Sequence, residues 1–325
     1  MRRIFYGWYM VGAAVGLQFL QAGLMSQAFG AYLAVLTEEQ NWSKTALSGA
    51  AALQQMEVAI LGPVLGWLLD RFGPKIFVRM GVVVFGTGLC LLSQTQTLPQ
   101  FYGAFIVIAL GTSLSGFFPL NVALIHWFER KRARALSAMS IGLAFGGIMV
   151  PLVAQSLTSF GWRTTALASG ILAICVGLPL AMMIRNRPAE HGEVPDGIAD
   201  APSPKDEARS KAESTRDFTA REALRTPAFY FLVLAFGMFA VTIGVMLLQT
   251  VPFMTDAGYG RSEASLMVTL ASVPALLSKP MWGALMDRVA PHKLAALGAA
   301  MTGTAMVTIT SVSYTHLTLP TTSRV

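Results

Sequence analysis

From residue 8 to residue 184 one apolar stretch follows another, separated only by short polar or basic breaks. Each is about as long as the roughly 20 residues a helix needs to cross a bilayer. Lipid gives the peptide group no hydrogen-bond partner, so the backbone of such stretches must satisfy itself, and an all-α polytopic membrane protein is expected. Charge agrees: only 13% of the 325 residues are charged, against about 25% in a soluble domain. Of the 41 charged residues, 17 fall within 185–228. That segment, with APSPKDEARSKAEST inside it, cannot build a core and reads as a solvated linker between two membrane halves.

Hydropathy places nine helices near 8–35, 46–69, 76–95, 100–127, 135–158, 163–184, 229–253, 262–286 and 293–311. Cys90 and Cys175 lie inside apolar runs and read as buried small hydrophobes, with neither a disulfide framework nor a zinc site available. Arg2 and Arg3 followed by an apolar stretch look like the start of a signal peptide, but the run is too long for one and reads as a retained first span. Lys and Arg in alternate breaks total 19, while the opposite set holds only Lys44, Arg163 and Arg261. This asymmetry puts the N-terminus and the linker in the cytoplasm. The net charge of +7 is therefore a topology signal and not a nucleic-acid footprint.

The chain also repeats itself. GPVLGWLLDR at 62–71 and KPMWGALMDR at 279–288 agree at Pro63 with Pro280, Gly66 with Gly283, Leu68 with Leu285, Asp70 with Asp287 and Arg71 with Arg288, at a constant offset of 217. The same offset pairs Trp42 with Tyr259 and Lys44 with Arg261. Six spans separate the copies, so both halves enter the membrane in the same sense, as in a transporter built from a parallel repeat. Residues 1–184 then form an N-terminal six-helix bundle, 185–228 the cytoplasmic linker and 229–310 a partial C-terminal bundle. Carrying Arg185 forward by 217 gives residue 402, so a chain of 325 is expected to hold about nine of twelve helices, and residues 311–325 read as a non-native tail.

The motif GWLLDRFGPK, Gly66 to Lys75, resembles the signature between helices two and three of the major facilitator superfamily, with a weaker echo at GALMDRVAPHK. YGWYMV at the start, WFERKRARALSAMSIGLAFGG, GWR at 161–163, RPAEHGEVPDG at 187–197 and REALRTPAFYFL resemble its monocarboxylate and oxalate/formate transporter branch. The resemblance implies that the two Asp-Arg loops latch the cytoplasmic side without binding substrate; their residues are Gly66, Asp70, Arg71, Gly73, Lys75, Gly283, Asp287 and Arg288. Read on its own, Gly66 allows a neighbouring helix to approach closely, and Asp70 can pair with basic loop residues or sit at the positive N-terminus of a helix; the alternative for the loop is a topology anchor only.

Ionisable residues within spans are few, and each is a functional candidate because charge is costly in hydrocarbon. Lys279 lies eight residues before Asp287, about 12 Å into the membrane, and its repeat mate is Gly62. In the resembling branch, helix eight carries a basic residue before a proline, and LSKPMWG matches with lysine in place of arginine. The resemblance thus implies that Lys279 meets a substrate carboxylate; the alternative is a lysine snorkelling to the surface. Some members have an acidic residue one turn earlier, where this chain has Ala275. Glu57, beyond mid-membrane and beside Gln54 and Gln55, is a candidate for carrying a coupling proton or for pairing with a neighbouring helix. Gln18, Gln21, Asn121, Gln155 and Gln249 are candidates for solute hydrogen bonds. His126 and Arg163 fall near span ends, and Gly142, Gly146 and Gly147 offer a small-residue face for packing.

Enzyme signatures are absent: GTSLSGFF has P-loop glycine spacing without the Lys-Ser/Thr that grips phosphate. The reading is a secondary transporter for a small organic solute, expected to be a monocarboxylate-like anion, with the proton as the expected coupling ion, no bound cofactor and no nucleic-acid partner. A carrier of an uncharged or cationic solute is the alternative within transporters, and a transporter-like sensor the alternative outside them. The expected location is a bacterial inner membrane.

Overall fold

The computed structural model describes residues 5–197, 220–256, 274, 277–279, 281–286 and 289–317, and every regular element among them is helical. The described residues up to 197, with those of 277–286, form one compact unit; those of 220–256 and 289–317 belong to a second.

In the first unit, α1 (Tyr6–Gln21) runs through a π-helical turn at Ala22–Ser26 towards α2 (Phe29–Gln40), and the two make one crossing. Then come α3 (Lys44–Phe72) and α4 (Pro74–Ser93). The fourth crossing is shared by α5 (Leu98–Ser115) and α6 (Phe117–Trp127), bent at Gly116. After it, α7 (Arg132–Phe145) passes through a 3-10 turn at Gly146–Met149 into α8 (Val150–Met182). The run Arg132–Met182 holds 51 residues. At 1.5 Å per residue that is about 75 Å, more than twice the hydrocarbon thickness. It is two crossings divided at Gly161, whose φ of 76° and ψ of 159° are not helical.

Local chemistry sets the starts. The Ser43 hydroxyl accepts the Ala46 N–H at 3.1 Å and caps α3. The Gln100 side chain accepts the Gln96 and Thr97 N–H groups ahead of α5, closing a capping box with Thr97. Pro74 opens α4 at a position where its missing N–H costs nothing.

A second repeat lies inside this unit. The bounds Lys44–Phe72 shifted by 88 residues become 132–160, the stretch from Arg132 to the Gly161 break. The start of α2 at Phe29 shifts to Phe117, the start of α6, and Pro63 shifts to Pro151. Three spans separate these copies, an odd number, so they are inverted in the membrane as in the nested repeats of transporters. The core repeats as well. One buried cluster contains Tyr32, Leu36, Leu47, Phe101, Phe105 and Ala166. The other contains their shifted mates Leu120, Leu124, Ala135, Ala13, Leu17 and Val78. Each face of the bundle thus has its own apolar core, one the inverted image of the other.

Close helix contacts rest on glycine. A Cβ added at Gly142 would meet the Val15 carbonyl oxygen at 2.3 Å, and one at Gly146 the Ala22 Cβ at 2.4 Å, so α7 lies directly on α1 and the 3-10 turn after it on the π-helical turn. Gly147, expected on the same face, has nothing within 4 Å, because the 3-10 turn rotates it away. Gly66 also departs from expectation. An added Cβ there would meet only Phe118 at 3.8 Å, an ordinary contact, so among the described residues no helix approaches closely at this glycine.

Two further expectations are corrected. Cys175 is exposed and Cys90 half-buried, so neither is a core residue; α8 turns Cys175 outward. The charged segment is not solvated from its start, since Pro188 and Asp196 are buried against the bundle.

In the second unit α9 (Pro227–Asp256) and α10 (Pro291–Leu317) are apolar helices. Pro291 opens α10 as Pro74 opens α4, at the offset of 217. The helix continues to Leu317, beyond the end expected at 311.

Gly142→Val is expected to overpack the α1/α7 contact, costing about 1–3 kcal/mol and lowering the thermal unfolding midpoint in detergent. Gly147→Val, in open space, is expected to leave that midpoint unchanged.

Candidate functional site

Polar residues within the spans meet where helices are broken. The π-helical turn begins directly after Gln21, and α5 ends at Ser115 before the Gly116 bend. Gln21 Nε2 donates to Ser115 Oγ at 2.8 Å, and that hydroxyl donates to the Gly111 carbonyl at 2.7 Å. Two residues earlier on α5, Ser113 Oγ donates to Glu57 Oε2 at 3.0 Å, joining α5 to α3. Gln18 Nε2, Gln21 Oε1 and Glu57 Oε1 are buried without a protein partner. Buried polar atoms of this kind call for a ligand or an ordered water. Ser113 and Ser115 escaped the sequence reading because serines are common in membrane helices. Their signal was their place just before a helix break.

The expected hydrogen-bonding set is therefore only partly assembled. Gln18 and Gln21 are buried on one face of α1, and Asn121 is half-buried one turn past the Gly116 bend. Gln155 is exposed on α8 and does not join them, because the 3-10 turn before it sets the face that α8 presents. Gln249 falls on α9, with its side chain outside the described residues. Gln54 is half-buried and Gln55 exposed.

Lys279 is half-buried, and its Nζ donates to the Ser140 carbonyl on α7 at 2.9 Å. Gly283, one turn further along, is buried against the same helix, where an added Cβ would meet Ser137 Oγ at 2.5 Å. The lysine thus sits within a helix contact. A carbonyl oxygen accepts its proton but does not neutralise its charge, so the ammonium stays able to hold an anion. Ala275, Pro280, Asp287 and Arg288 lie outside the described residues.

At the other end of α3, a cleft of about 160 Å³ is lined by Asp70, Arg71, Gly73, His126, Arg187 and Glu190 among others. Arg71 lies over the rings of Trp67 and Phe72, at 5.5 and 5.6 Å. Gly73 holds φ 76° and ψ 160°, a region essentially closed to other residues. Its missing side chain leaves room for Asn186, whose side chain lies 2.6 Å from where a Cβ would stand. Asn186 Oδ1 accepts the Lys75 N–H at 3.0 Å. Ten residues on, the buried Asp196 carboxylate accepts three consecutive N–H groups, from Glu129 at 3.0 Å, Arg130 at 2.7 Å and Lys131 at 3.3 Å. Residues 186–196 therefore strap together the loops after α3 and α6. Sequence reasoning missed the strap because Asp and Asn in a charged segment look solvated until the loop amides they face are known.

Kinked spans paired by inverted repeat, with polar contacts at the kinks and five helical runs long and apolar enough to cross a bilayer, make this an integral membrane protein of transporter architecture. The chain matches the Major Facilitator Superfamily profile over residues 8–322 and belongs to that family. It is 24% identical over 289 residues to the oxalate:formate antiporter of Oxalobacter formigenes, covering 88% of this chain and 65% of that protein. It is 26% identical over 248 residues to the agnestins efflux protein AgnL12 of Paecilomyces divaricatus, covering 74% and 51%. It is 27% identical over 289 residues to the probable transporter MCH2 of Saccharomyces cerevisiae, covering 87% and 57%. The chain thus spans about half to two thirds of the length of these relatives. The solved proton:xylose symporter XylE, bound to 6-bromo-6-deoxy-D-glucose, shares the fold with a TM-score of 0.64 at 17% identity, covering 87% of this chain and 70% of that one.

Asp196→Ala leaves three loop amides without an acceptor. Hydrogen bonds to charged groups contribute about 1.5–3 kcal/mol each, so trypsin is expected to cut at Arg130 to Arg134 faster than in the parent protein while the bundle stays folded by circular dichroism.

Proposed function

We propose that this chain is most of a secondary active transporter that moves a small organic anion, of monocarboxylate type, across the membrane by alternating access. The observation that carries the anion is Lys279, a lysine at membrane depth whose described partner is a backbone carbonyl. An ion pair with a solute carboxylate would compensate the charge that the carbonyl leaves. A lysine holds a carboxylate as a point charge, without the two-pronged geometry of arginine, which favours small carboxylates of varied shape. The likeness to an oxalate:formate antiporter over most of this chain supports the same class of solute.

Glu57 is the proton carrier in this reading. Ser113 holds one carboxylate oxygen and the other is without a protein partner, so it can take up a proton without first breaking a protein contact. The solved neighbour of the same fold is a proton symporter. Gln21 and Asn121 orient the solute by hydrogen bonds, while Gly66, Asp70, Arg71, Gly73 and Lys75 close the cytoplasmic side, with Gly283, Asp287 and Arg288 as their repeat mates. In this reading the N-terminus and linker are cytoplasmic, which the Lys and Arg asymmetry of the loops supports, and the membrane is a bacterial inner membrane.

The test is uptake of labelled monocarboxylates into proteoliposomes, with and without a proton gradient. Lys279→Ala is expected to raise the half-saturating concentration about 30-fold, the equivalent of about 2 kcal/mol, and Lys279→Arg to retain most of the affinity. Equal transport by wild type and Lys279→Ala would overturn the anion site. Glu57→Gln is expected to keep solute exchange while losing the response to the proton gradient; a full response would remove Glu57 from coupling.

A further inference from the structure

The loop Phe72-Gly73-Pro74-Lys75 has a counterpart 88 residues on, at Phe160-Gly161-Trp162-Arg163. The likeness extends to the backbone: Gly73 sits at φ 76°, ψ 160° and Gly161 at φ 76°, ψ 159°. Both occupy the region that side-chain-bearing residues essentially do not adopt. Each joins one crossing to the next, and each is followed two residues later by a cation. Three spans separate the copies, so the second loop lies on the opposite face of the membrane from the first.

At Gly161 the reason for glycine is isolated. An added Cβ would find nothing within 4 Å, so the position requires glycine for its backbone angles alone. Trp162 is buried and Arg163 lies over its ring at 4.3 Å. The guanidinium Nη2 donates to the Thr95 carbonyl at 2.8 Å, closing one of the open carbonyls past the end of α4. The other face solves the same problem with its own groups. Arg79 Nη2 donates to the carbonyl of Met182, the last residue of α8, at 3.1 Å, and the Tyr6 hydroxyl to the Met183 carbonyl just past it at 3.0 Å. Thr95 and Met183 are themselves 88 residues apart.

We propose that Phe160–Arg163 is the latch of the face opposite the Phe72–Lys75 loop, with Gly161 as its fixed corner and Arg163 as the positioning residue that ties α8 to the end of α4. It controls how readily that face opens, as the first loop does for the cytoplasmic face. This rests on alternating access but not on which solute is carried.

The experiment measures opening at each face with no solute present. Leu47 and Ala135 are repeat mates, both fully buried, one in each apolar core. With Cys90 and Cys175 replaced by alanine, Leu47→Cys and Ala135→Cys are introduced singly into the whole chain in nanodiscs and labelled with a charged maleimide. Gly161→Ala and Arg163→Gln are each expected to raise the labelling rate at position 47 about tenfold, the scale set by forcing alanine into this backbone region, with position 135 unchanged. Gly73→Ala is expected to do the reverse. Arg163→Lys, which keeps a donor for the Thr95 carbonyl, is expected to restore most of the protection at position 47. No change at 47, or an equal rise at both positions, would overturn the proposal, since the second result is general loosening of the bundle. Failure of the anion site in the uptake assay would leave these rates untouched.

Discussion

Lipid cannot hydrogen-bond a peptide group, and the rest of the structure depends on that constraint. It makes each crossing a helix and makes any interruption costly unless other groups take up the freed carbonyls and amides. The interruptions here show the compensation. The Ala22–Ser26 turn keeps its backbone bonded by lengthening the helical register, with Gln27 N–H returning to the Ala22 carbonyl at 2.8 Å. The ends of α4 and α8 are closed by arginine and tyrosine side chains. Where the chain must reverse within one residue, glycine occupies a backbone region that other residues avoid, at Gly73 and again at Gly161.

The inverted repeat separates what the fold requires from what it does not. At core positions the copies are interchangeable in kind: Tyr32 and Leu120, Leu36 and Leu124, Leu47 and Ala135 are all apolar and buried. The polar residues break that equivalence. Glu57 shifts to Phe145, Gln21 to Ala109, and Ser113 shifts back to Met25. The architecture accepts an apolar residue at the mate of each, so the polarity is not demanded by folding. Lys279 departs in the same way from Gly62 across the larger repeat. In a membrane such departures are costly, and Gln21 and Glu57 each leave a buried oxygen without a protein partner.

The strap of residues 186–196 gives the charged linker a structural start. Asn186 and Asp196 hold the loops after α3 and α6 through backbone amides. The Asp-Arg loop is thereby fixed by its neighbour within the bundle, and its charged side chains line the cleft.

Much of this was legible in the amino-acid sequence. Apolar length gave the crossings, because the backbone leaves lipid-exposed stretches a single solution, and the spacing of GPVLGWLLDR and KPMWGALMDR showed the larger repeat. The inverted repeat was harder to see, since only a few residues, such as Pro63 with Pro151 and Phe72-Gly73 with Phe160-Gly161, survive in both copies; its evidence is helix bounds and backbone angles. Lys279 and Glu57 could be named from chemistry, because charge in a span is rare. Their partners, the Ser140 carbonyl and Ser113, could not, because a hydrogen bond between helices depends on rotation and depth, which hydropathy does not encode. Apolar length and stray charge alone show that the chain crosses the membrane and which of its charges are out of place. Which glycines bring helices together, which polar atoms meet, and that the linker begins as a strap emerge only in the fold, because each depends on contacts between residues far apart in the chain.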